Sequence, residues 1–111
     1  MGEFIKGDVV TLPFPFSDLS GKKIRPALVI TKLQGDDVIL CQITHLPHGN
    51  DNFKILLTDK DFAQGNLSVD SYIRPNRLFT ADSTIIHGKK GNVSMGKLSE
   101  VIDKLTEIIK S

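Results

Sequence analysis

Three cationic side chains stand immediately before a strongly apolar segment near the N-terminal end of the chain. Lys22, Lys23 and Arg25 precede Pro26, and the residues that follow, Ala27–Ile30, form a short apolar run with β-branched side chains. Such a run is typical of a buried strand, so Arg25 stands where that strand begins. A guanidinium is permanently charged and carries several fixed donors, a geometry that suits an anion. We therefore predict an anion site at the start of this strand.

The histidines offer a second kind of chemistry. His45, His48 and His87 can exchange protons near neutral pH, so any of them is a candidate general base. His45 and His48 also have a spacing at which two ligands can share a metal ion, but they lack a clear third ligand and we expect no metal site. If Thr44 and His45 both continue one strand, their side chains point to opposite faces and cannot serve one site.

Composition limits what kind of protein this is. The chain has 111 residues, 40% of them hydrophobic, and a net charge of +1. These values fit one globular domain spanning residues 1–111, without the overall basicity of a non-specific nucleic-acid binder. Cys41 is the single cysteine, which excludes an internal disulfide and favours a reducing compartment. No apolar run approaches the ~20 residues that cross a bilayer, and we expect a soluble, cytoplasmic protein that does not bind membranes.

The elements that must position these residues are mostly short strands. Pro13 and Pro15 predict a loop that extends to Lys23. We also predict a turn at Gln34–Asp37, a turn or one helical turn at Thr58–Gly65, and a further turn at GKKGN. The predicted strands are Asp8–Leu12, Arg25–Leu33, Val38–Thr44, Phe53–Leu57, Val69–Arg74, Arg77–Thr80 and Thr84–His87.

The C-terminal segment has the period of a helix. Its apolar residues share one helical face, and Ser99 is the predicted N-cap; they are Leu98, Val101, Ile102, Leu105, Ile108 and Ile109. Short strands followed by one amphipathic helix predict a mainly β (α+β) fold, a small antiparallel barrel closed by that helix.

Several segments together resemble the MazF/PemK family of toxin endoribonucleases, in its divergent PemK-like branch. They are GDVVTLPFPF, KIRPALVIT, CQITHL, SYIRPNRLFTAD and GNVSMGKLSEVIDKL, and they cover most of the chain. The resemblance implies an SH3-like barrel, a homodimer, cleavage of single-stranded RNA without a metal or other cofactor, and inhibition by a cognate antitoxin. It also implies that Arg25 and Thr44 are the catalytic arginine and threonine. His45 stands where the family often has a serine, and Arg77 and Asp82 are five apart instead of the usual three.

The implied reaction needs no metal because the RNA carries its own nucleophile. The 2′-OH attacks the adjacent phosphorus and leaves a 2′,3′-cyclic phosphate and a 5′-OH, which also distinguishes RNA from DNA. Negative charge grows on the non-bridging oxygens, which Arg25 would stabilise while Thr44 orients the phosphate. The alternatives are a surface ion pair of Arg25 with Asp8 or Asp18 and simple strand packing of Thr44.

Residues around this centre are candidates for RNA contacts. Cations bind phosphates and aromatic rings stack on unpaired bases, so the candidate RNA-binding residues are Lys22, Lys23, Phe16, Asp18, Arg74 and Arg77. Phe14 is a further stacking candidate. Alternatively, the phenylalanines fill the core and the lysines are solvated, while the two arginines form ion pairs with Asp70 or Asp82.

Two other functions remain open at this point. A non-catalytic SH3-like binding module would have the Arg25 and Thr44 side chains apart or bound within the core, since such folds host many functions. A gyrase-poisoning toxin of the CcdB type would share the barrel, but this chain has no tryptophan and ends in EIIKS, whereas that type typically ends in Trp-Gly-Ile.

Overall fold

The computed structural model describes residues 4–14, 23–46 and 51–111. They form strands β1 (Asp8–Pro13), β2 (Ile24–Lys32), β3 (Asp37–Thr44), β4 (Ile55–Leu57), β5 (Phe62–Gly65), β6 (Ser71–Asp82) and β7 (Gly88–Val93), followed by helix α1 (Met95–Lys110). Short 3₁₀ turns lie at Asp59–Asp61 and Ser83–Ile85. The predicted mainly β fold with one C-terminal helix is confirmed.

The strands form one antiparallel 7-stranded sheet in the order β4-β6-β3-β2-β1-β7-β5. Register shifts interrupt the pairing of β1 with β7, of β2 with β3 and of β3 with β6. Such shifts increase twist and bend strands, and the sheet curves into a half-barrel.

Both faces of the sheet bury apolar side chains. The first core cluster contains Val9, Leu28, Cys41, Ile43 and Ile73 and lies under Val101 of α1. The second core cluster lies on the opposite face and contains Val10, Leu12, Phe14, Ala27, Val29, Val38 and Leu40. Alternate residues of β2 and β3 enter alternate clusters, as the period of a strand requires. A residue that lies an even number of positions from a known core residue on the same strand therefore has its side chain on the same face as that residue.

The predicted break at Pro75-Asn76 is wrong. Strand β6 runs through both residues, and a bulge absorbs them because Cys41 pairs with Leu78 while Gln42 pairs with Arg74. A proline lacks the N–H that a ladder needs, and a bulge is one of the few places where a sheet tolerates this. The sequence therefore marked a distortion in one strand, not the end of a strand.

Two other segments near the C-terminus also differ from expectation. The predicted strand Thr84–His87 is largely the 3₁₀ turn Ser83–Ile85, and the predicted turn GKKGN is β7. Strand β7 pairs with β5. The segment Thr58–Gly65 was predicted as a turn or one helical turn; its first part forms the 3₁₀ turn Asp59–Asp61, but its last part is β5. The backbones of Gly65 and Gly91 meet so closely that a Cβ on either would overlap the other strand. Glycine marks a close approach of strands here.

Helix α1 begins earlier than predicted. Its N-cap is Ser94, whose side chain accepts a hydrogen bond from the N–H of Lys97 at 3.2 Å, and Ser99 lies exposed inside the helix. The apolar face was predicted correctly at Leu98, Val101 and Leu105, which pack in the first core cluster. Ile109, also assigned to this face, is 69% exposed near the end of the helix. Within the described residues, no helix is long and apolar enough to cross a membrane.

Candidate functional site

Arg25 and Thr44 lie at the same end and on the same face of the sheet. Residues of β2 and β3 pair from Ala27 opposite Gln42 onward. Arg25 lies two residues before Ala27 and Thr44 two residues after Gln42, so the same register brings Arg25 and Thr44 opposite one another. Arg25 lies two residues from Ala27 and Thr44 four residues from Leu40, and both Ala27 and Leu40 belong to the second core cluster. Because strand side chains alternate between faces, Arg25 and Thr44 lie on the face of that cluster. We call Arg25 and Thr44 the strand-end site.

Pro26 helps to explain why this end is open. Its ring restricts Arg25 to an extended conformation, which keeps Arg25 in the strand. The missing N–H of Pro26 limits hydrogen bonding, and pairing of β2 with β3 stops at the next residue, Ala27, while pairing of β2 with β1 continues to Ile24. At the strand-end site, β2 and β3 are thus not paired with each other, although Arg25 pairs with Leu12 of β1 and Thr44 with Tyr72 of β6.

The guanidinium of Arg25 has an unsatisfied donor. Its Nε is buried and has no hydrogen-bond partner among the described residues. Asp8, one predicted partner, instead accepts a hydrogen bond from the N–H of Ile5 at 2.9 Å and lies 3.7 Å from Nζ of Lys89. Asp18, the other predicted partner, lies outside the described residues. A buried unpaired donor costs about 1–3 kcal/mol, so an incoming anion would satisfy a donor for which the described residues supply no partner.

The hydroxyl of Thr44 is held in place by the chain that follows it. Oγ1 accepts a hydrogen bond from the N–H of Leu46 at 3.2 Å and donates to the carbonyl of Leu46 at 3.3 Å. The second contact is long for an O–H donor, so the proton can turn toward another acceptor at small cost. The N–H of Leu46 would still hold the hydroxyl oxygen of Thr44 in place. The Thr44 hydroxyl is therefore oriented by the backbone two residues further along the chain.

A buried ion pair adjoins the strand-end site. Arg74 and Tyr72 of β6 lie directly opposite Gln42 and Thr44 of β3, so they share the face of the site. Nε of Arg74 donates to Oδ2 of Asp51 at 2.7 Å, and the two side chains are 9% and 3% exposed. The predicted partners of Arg74, Asp70 and Asp82, are wrong. Asp51 therefore neutralises Arg74, whereas the Nε of Arg25 has no partner among the described residues.

Asp51 organises its surroundings through three contacts. Besides Arg74, it accepts a hydrogen bond from the N–H of Phe53 at 2.9 Å, and its carbonyl accepts one from Nζ of Lys54 at 3.1 Å. The same Nζ lies 5.8 Å from the centre of the Tyr72 ring, a cation–π distance. Burial alone would raise the pKa of Asp51, but the hydrogen bonds from Arg74 and Phe53 and the nearby positive charges lower it overall.

The other predicted RNA-contact residues have varied positions. Lys23 is exposed at the start of β2, and Arg77 is exposed in the bulge of β6. Phe14 is fully buried against Phe79, with ring centres 5.0 Å apart, so its core interpretation is confirmed and it cannot stack on a base. Phe16, Asp18 and Lys22 lie outside the described residues.

The remaining titratable candidates lie away from the strand-end site. Asp82 is exposed and caps a 3₁₀ turn; hydrogen bonds from the backbone N–H and the hydroxyl of Thr84 lower its pKa. Strand β3 ends at Thr44, and His45 faces a cavity beside Thr11 and Pro26, on the other side of the sheet. His48 lies outside the described residues. In the part of the chain that the structure describes, no three His, Cys, Asp or Glu side chains are grouped to hold a metal ion.

Comparison with known proteins decides the family. Residues 5–109 match the family model described as PemK-like, MazF-like toxin of type II toxin-antitoxin system. The chain belongs to this toxin family. The family resemblance seen in the sequence is thereby confirmed. A search of curated proteins returned no match.

Solved structures show the same fold as this toxin. MazF from Deinococcus radiodurans (Form-I) superposes with a TM-score of 0.76 at 19% identity and covers 100% of both chains. The MazE-MazF structure (Form-II) from that organism gives 0.75 at 20% identity over 98% of this chain and 97% of that one. An endoribonuclease in complex with its cognate antitoxin from a mycobacterial species gives 0.73 at 14% identity, over 96% and 95%. At these identities the similarity establishes the MazF-like half-barrel.

Sequence reasoning missed most neighbours of the toxin's strand-end site. Strand alternation in VILCQIT places Gln42 on the face of Thr44, and alternation in SYIRP places Tyr72 with Arg74. Both signals were available. Asp51 gave no comparable signal, because it lies 23 residues from Arg74 in a polar segment, and only the fold brings the two together.

Proposed function

We propose that this toxin is a metal-independent endoribonuclease that cleaves single-stranded RNA at the strand-end site. The observation that carries the proposal is the buried Nε of Arg25, which has no partner among the described residues and shares a face and a strand end with Thr44. A phosphate supplies the acceptors that this guanidinium needs. The family membership and the endoribonuclease relatives of the same fold support the same reaction.

In the proposed reaction, the 2′-OH of the RNA attacks the adjacent phosphorus and the bond to the 5′-oxygen breaks. The 2′-oxygen loses its proton and the departing 5′-oxygen takes one up, so the products are a 2′,3′-cyclic phosphate and a 5′-OH. Arg25 donates to a non-bridging oxygen, where charge develops in the transition state. Thr44 turns its hydroxyl from the carbonyl of Leu46 to the phosphate and orients it. The pKa of arginine is above 12, so Arg25 acts chiefly by its charge.

Variants of the two residues test this assignment. Arg25→Met retains an apolar stem and removes the guanidinium, and we expect cleavage to fall by about 10²–10³-fold, as when a transition-state donor is removed. Because the variant also removes an unsatisfied donor, its unfolding midpoint should not fall. Thr44→Val should slow cleavage with little change in far-UV circular dichroism. Lys110→Met, at the exposed end of α1, is the control for loss of one positive charge.

The outcomes separate chemistry from packing. Undiminished cleavage by Arg25→Met would exclude Arg25 from the reaction, and undiminished cleavage by Thr44→Val would show that the threonine only packs. A folded wild type that cuts no RNA would favour a binding module.

We also propose that the toxin is a homodimer and that a cognate antitoxin inhibits it. The structures of similar fold include an antitoxin complex from a mycobacterial species and MazE-MazF from Deinococcus radiodurans. An acidic, disordered antitoxin segment that folds on binding would complement Arg25 and exposed Lys23. Its binding should weaken with salt and with Arg25→Met, which titration of the purified pair measures.

A further inference from the structure

A cavity of about 220 Å³ lies at the same end of the sheet as the strand-end site. Three strands and two connections contribute to it. The lining residues are Thr11 of β1, Pro26 of β2, Ser71 of β6, His45 just after β3, and Leu67 and Val69 between β5 and β6. We call it the strand-end cavity.

The cavity and the strand-end site are back to back. Thr11 pairs with Pro26, and by parity both lie on the face of the first core cluster. Arg25 and Thr44 lie on the opposite face, and they are the chain neighbours of Pro26 and His45. Consecutive Cα atoms are about 3.8 Å apart. A flexible RNA strand that places a phosphate on Arg25 therefore meets the cavity by crossing the strand ends at which β2 and β3 are not paired with each other.

The chemistry of the cavity wall favours a nucleobase over a phosphate. No lysine or arginine is among the described residues that line the cavity, so none of these side chains neutralises a phosphate. Pro26, Leu67 and Val69 supply apolar surface, while Thr11, His45 and Ser71 supply hydroxyls and a ring that can donate or accept hydrogen bonds. The hydroxyl of Ser71 already donates to the carbonyl of Val69 at 3.1 Å, so its oxygen is left to accept. A planar nucleobase has apolar faces and a hydrogen-bonding edge, so this combination of wall residues complements it.

The size of the cavity points the same way. Pockets for drug-sized ligands occupy about 300–1,000 Å³, so this smaller volume suits a single ring system and not a whole nucleotide. Proteins that read single-stranded RNA do so by holding splayed bases in such pockets and bonding their edges.

We propose that the strand-end cavity binds one unpaired base of the RNA, close to the phosphate held by Arg25, and that His45, with Thr11 and Ser71, selects which base is accepted. This inference rests on the proposed function, because it assumes that RNA is the ligand of the strand-end site. His45 and Thr11 are thus specificity-determining residues, and neither takes part in bond breaking.

The test uses a short single-stranded RNA with a 2′-O-methyl group at the cut position, which prevents cleavage. In a series of such RNAs, each base near that position is replaced in turn by an abasic residue, and binding is measured by fluorescence anisotropy. For wild type, one replacement should weaken binding by about tenfold, within the usual range for a single bound base. His45→Ala and Thr11→Val should each reduce that penalty to about threefold or less.

His87→Ala is the matched control, because His87 is exposed and does not line the cavity. It should keep the full abasic penalty, and so should Arg25→Met, although Arg25→Met binds all the RNAs more weakly. Mapping the cuts in unmodified RNA should show a relaxed base preference for His45→Ala and an unchanged one for His87→Ala.

The failures of the two proposals differ. A wild-type abasic penalty that neither cavity variant reduces, or no penalty at any position, would overturn the cavity proposal while RNA cleavage continued. RNA binding without cleavage of the unmodified strand would overturn the proposed function. The cavity proposal would then still be decided by comparing how much an abasic replacement weakens binding to wild type and to the cavity variants. Absence of RNA binding would overturn both.

Discussion

Asp51→Asn should destabilise the protein strongly, because Asp51 forms a buried ion pair with Arg74. The substitution keeps an oxygen for the N–H of Phe53 but removes the charge that faces Arg74 across 2.7 Å. Both side chains are nearly inaccessible, so Arg74 is left as a buried charge without compensation. Removing one partner of such a pair costs about 3–5 kcal/mol, and we take the lower value because the hydrogen bond to Phe53 is retained.

A loss of about 3 kcal/mol is large against the ~5–15 kcal/mol of a typical domain. One kcal/mol corresponds to about 4 °C in a domain of this size, so the midpoint of thermal unfolding should fall by about 10–15 °C at pH 7. Circular dichroism and urea titration measure both quantities. Asp82→Asn is the control, since Asp82 is exposed and an asparagine can cap the same 3₁₀ turn; its stability should change by less than ~0.5 kcal/mol.

The pH dependence follows from the lowered pKa of Asp51. The ion pair contributes fully above the unfolded-state pKa, near 3.9, and its contribution is lost as pH falls through the lower folded-state value. The difference between wild type and Asp51→Asn should therefore be constant from pH 5 to 7 and shrink in stronger acid. Adding Arg74→Met to Asp51→Asn should recover stability, because no charge then remains buried. A midpoint for Asp51→Asn within 2 °C of wild type would refute this reasoning.

Two other predictions concern the core and the helix. Burial raises the pKa of the Cys41 thiol to about 12, so a thiol reagent at pH 8 should label the native protein only as it unfolds; immediate labelling would place Cys41 in an accessible site. Ser94→Ala should cost about 1 kcal/mol in urea unfolding, because it leaves the N–H of Lys97 unpaired, whereas Ser99→Ala on the exposed helix surface should cost nothing. Equal losses in the two serine variants would contradict the observed N-cap.

The long periodic segments of the fold were predictable, and the short irregular ones were not. The cores of β1, β2 and β3 follow from apolar runs, and the face of α1 follows from a spacing of three and four residues. GKKGN was predicted as a turn because glycine and lysine are poor strand residues in isolation. In the structure Gly91 permits the close approach of β5, so tertiary contact overrides local preference.

Arg25, Thr44 and the adjoining Arg74 were predicted as site candidates, but the other neighbours of the strand-end site were not. Arg25 was identified by its position before an apolar strand, and Thr44 through the family resemblance. Their common face follows from register, which needs paired strands and cannot be read from either segment alone. The partner of Arg74 is distant in sequence, and short-range patterns offered Asp70 and Asp82 instead of Asp51. Long-range charge pairing is where sequence reasoning failed.

The most direct measurement of the central claim is cleavage of mixed single-stranded RNA by purified protein in excess chelator, with the new ends identified chemically. We expect wild type to cut at selected sites and to leave 2′,3′-cyclic phosphate and 5′-OH ends. Equally folded Arg25→Met should cut at least ~100-fold more slowly, which is the effect of losing one transition-state donor. Cleavage that requires a metal, other end groups, or equal rates for wild type and Arg25→Met would contradict the proposed role of the strand-end site.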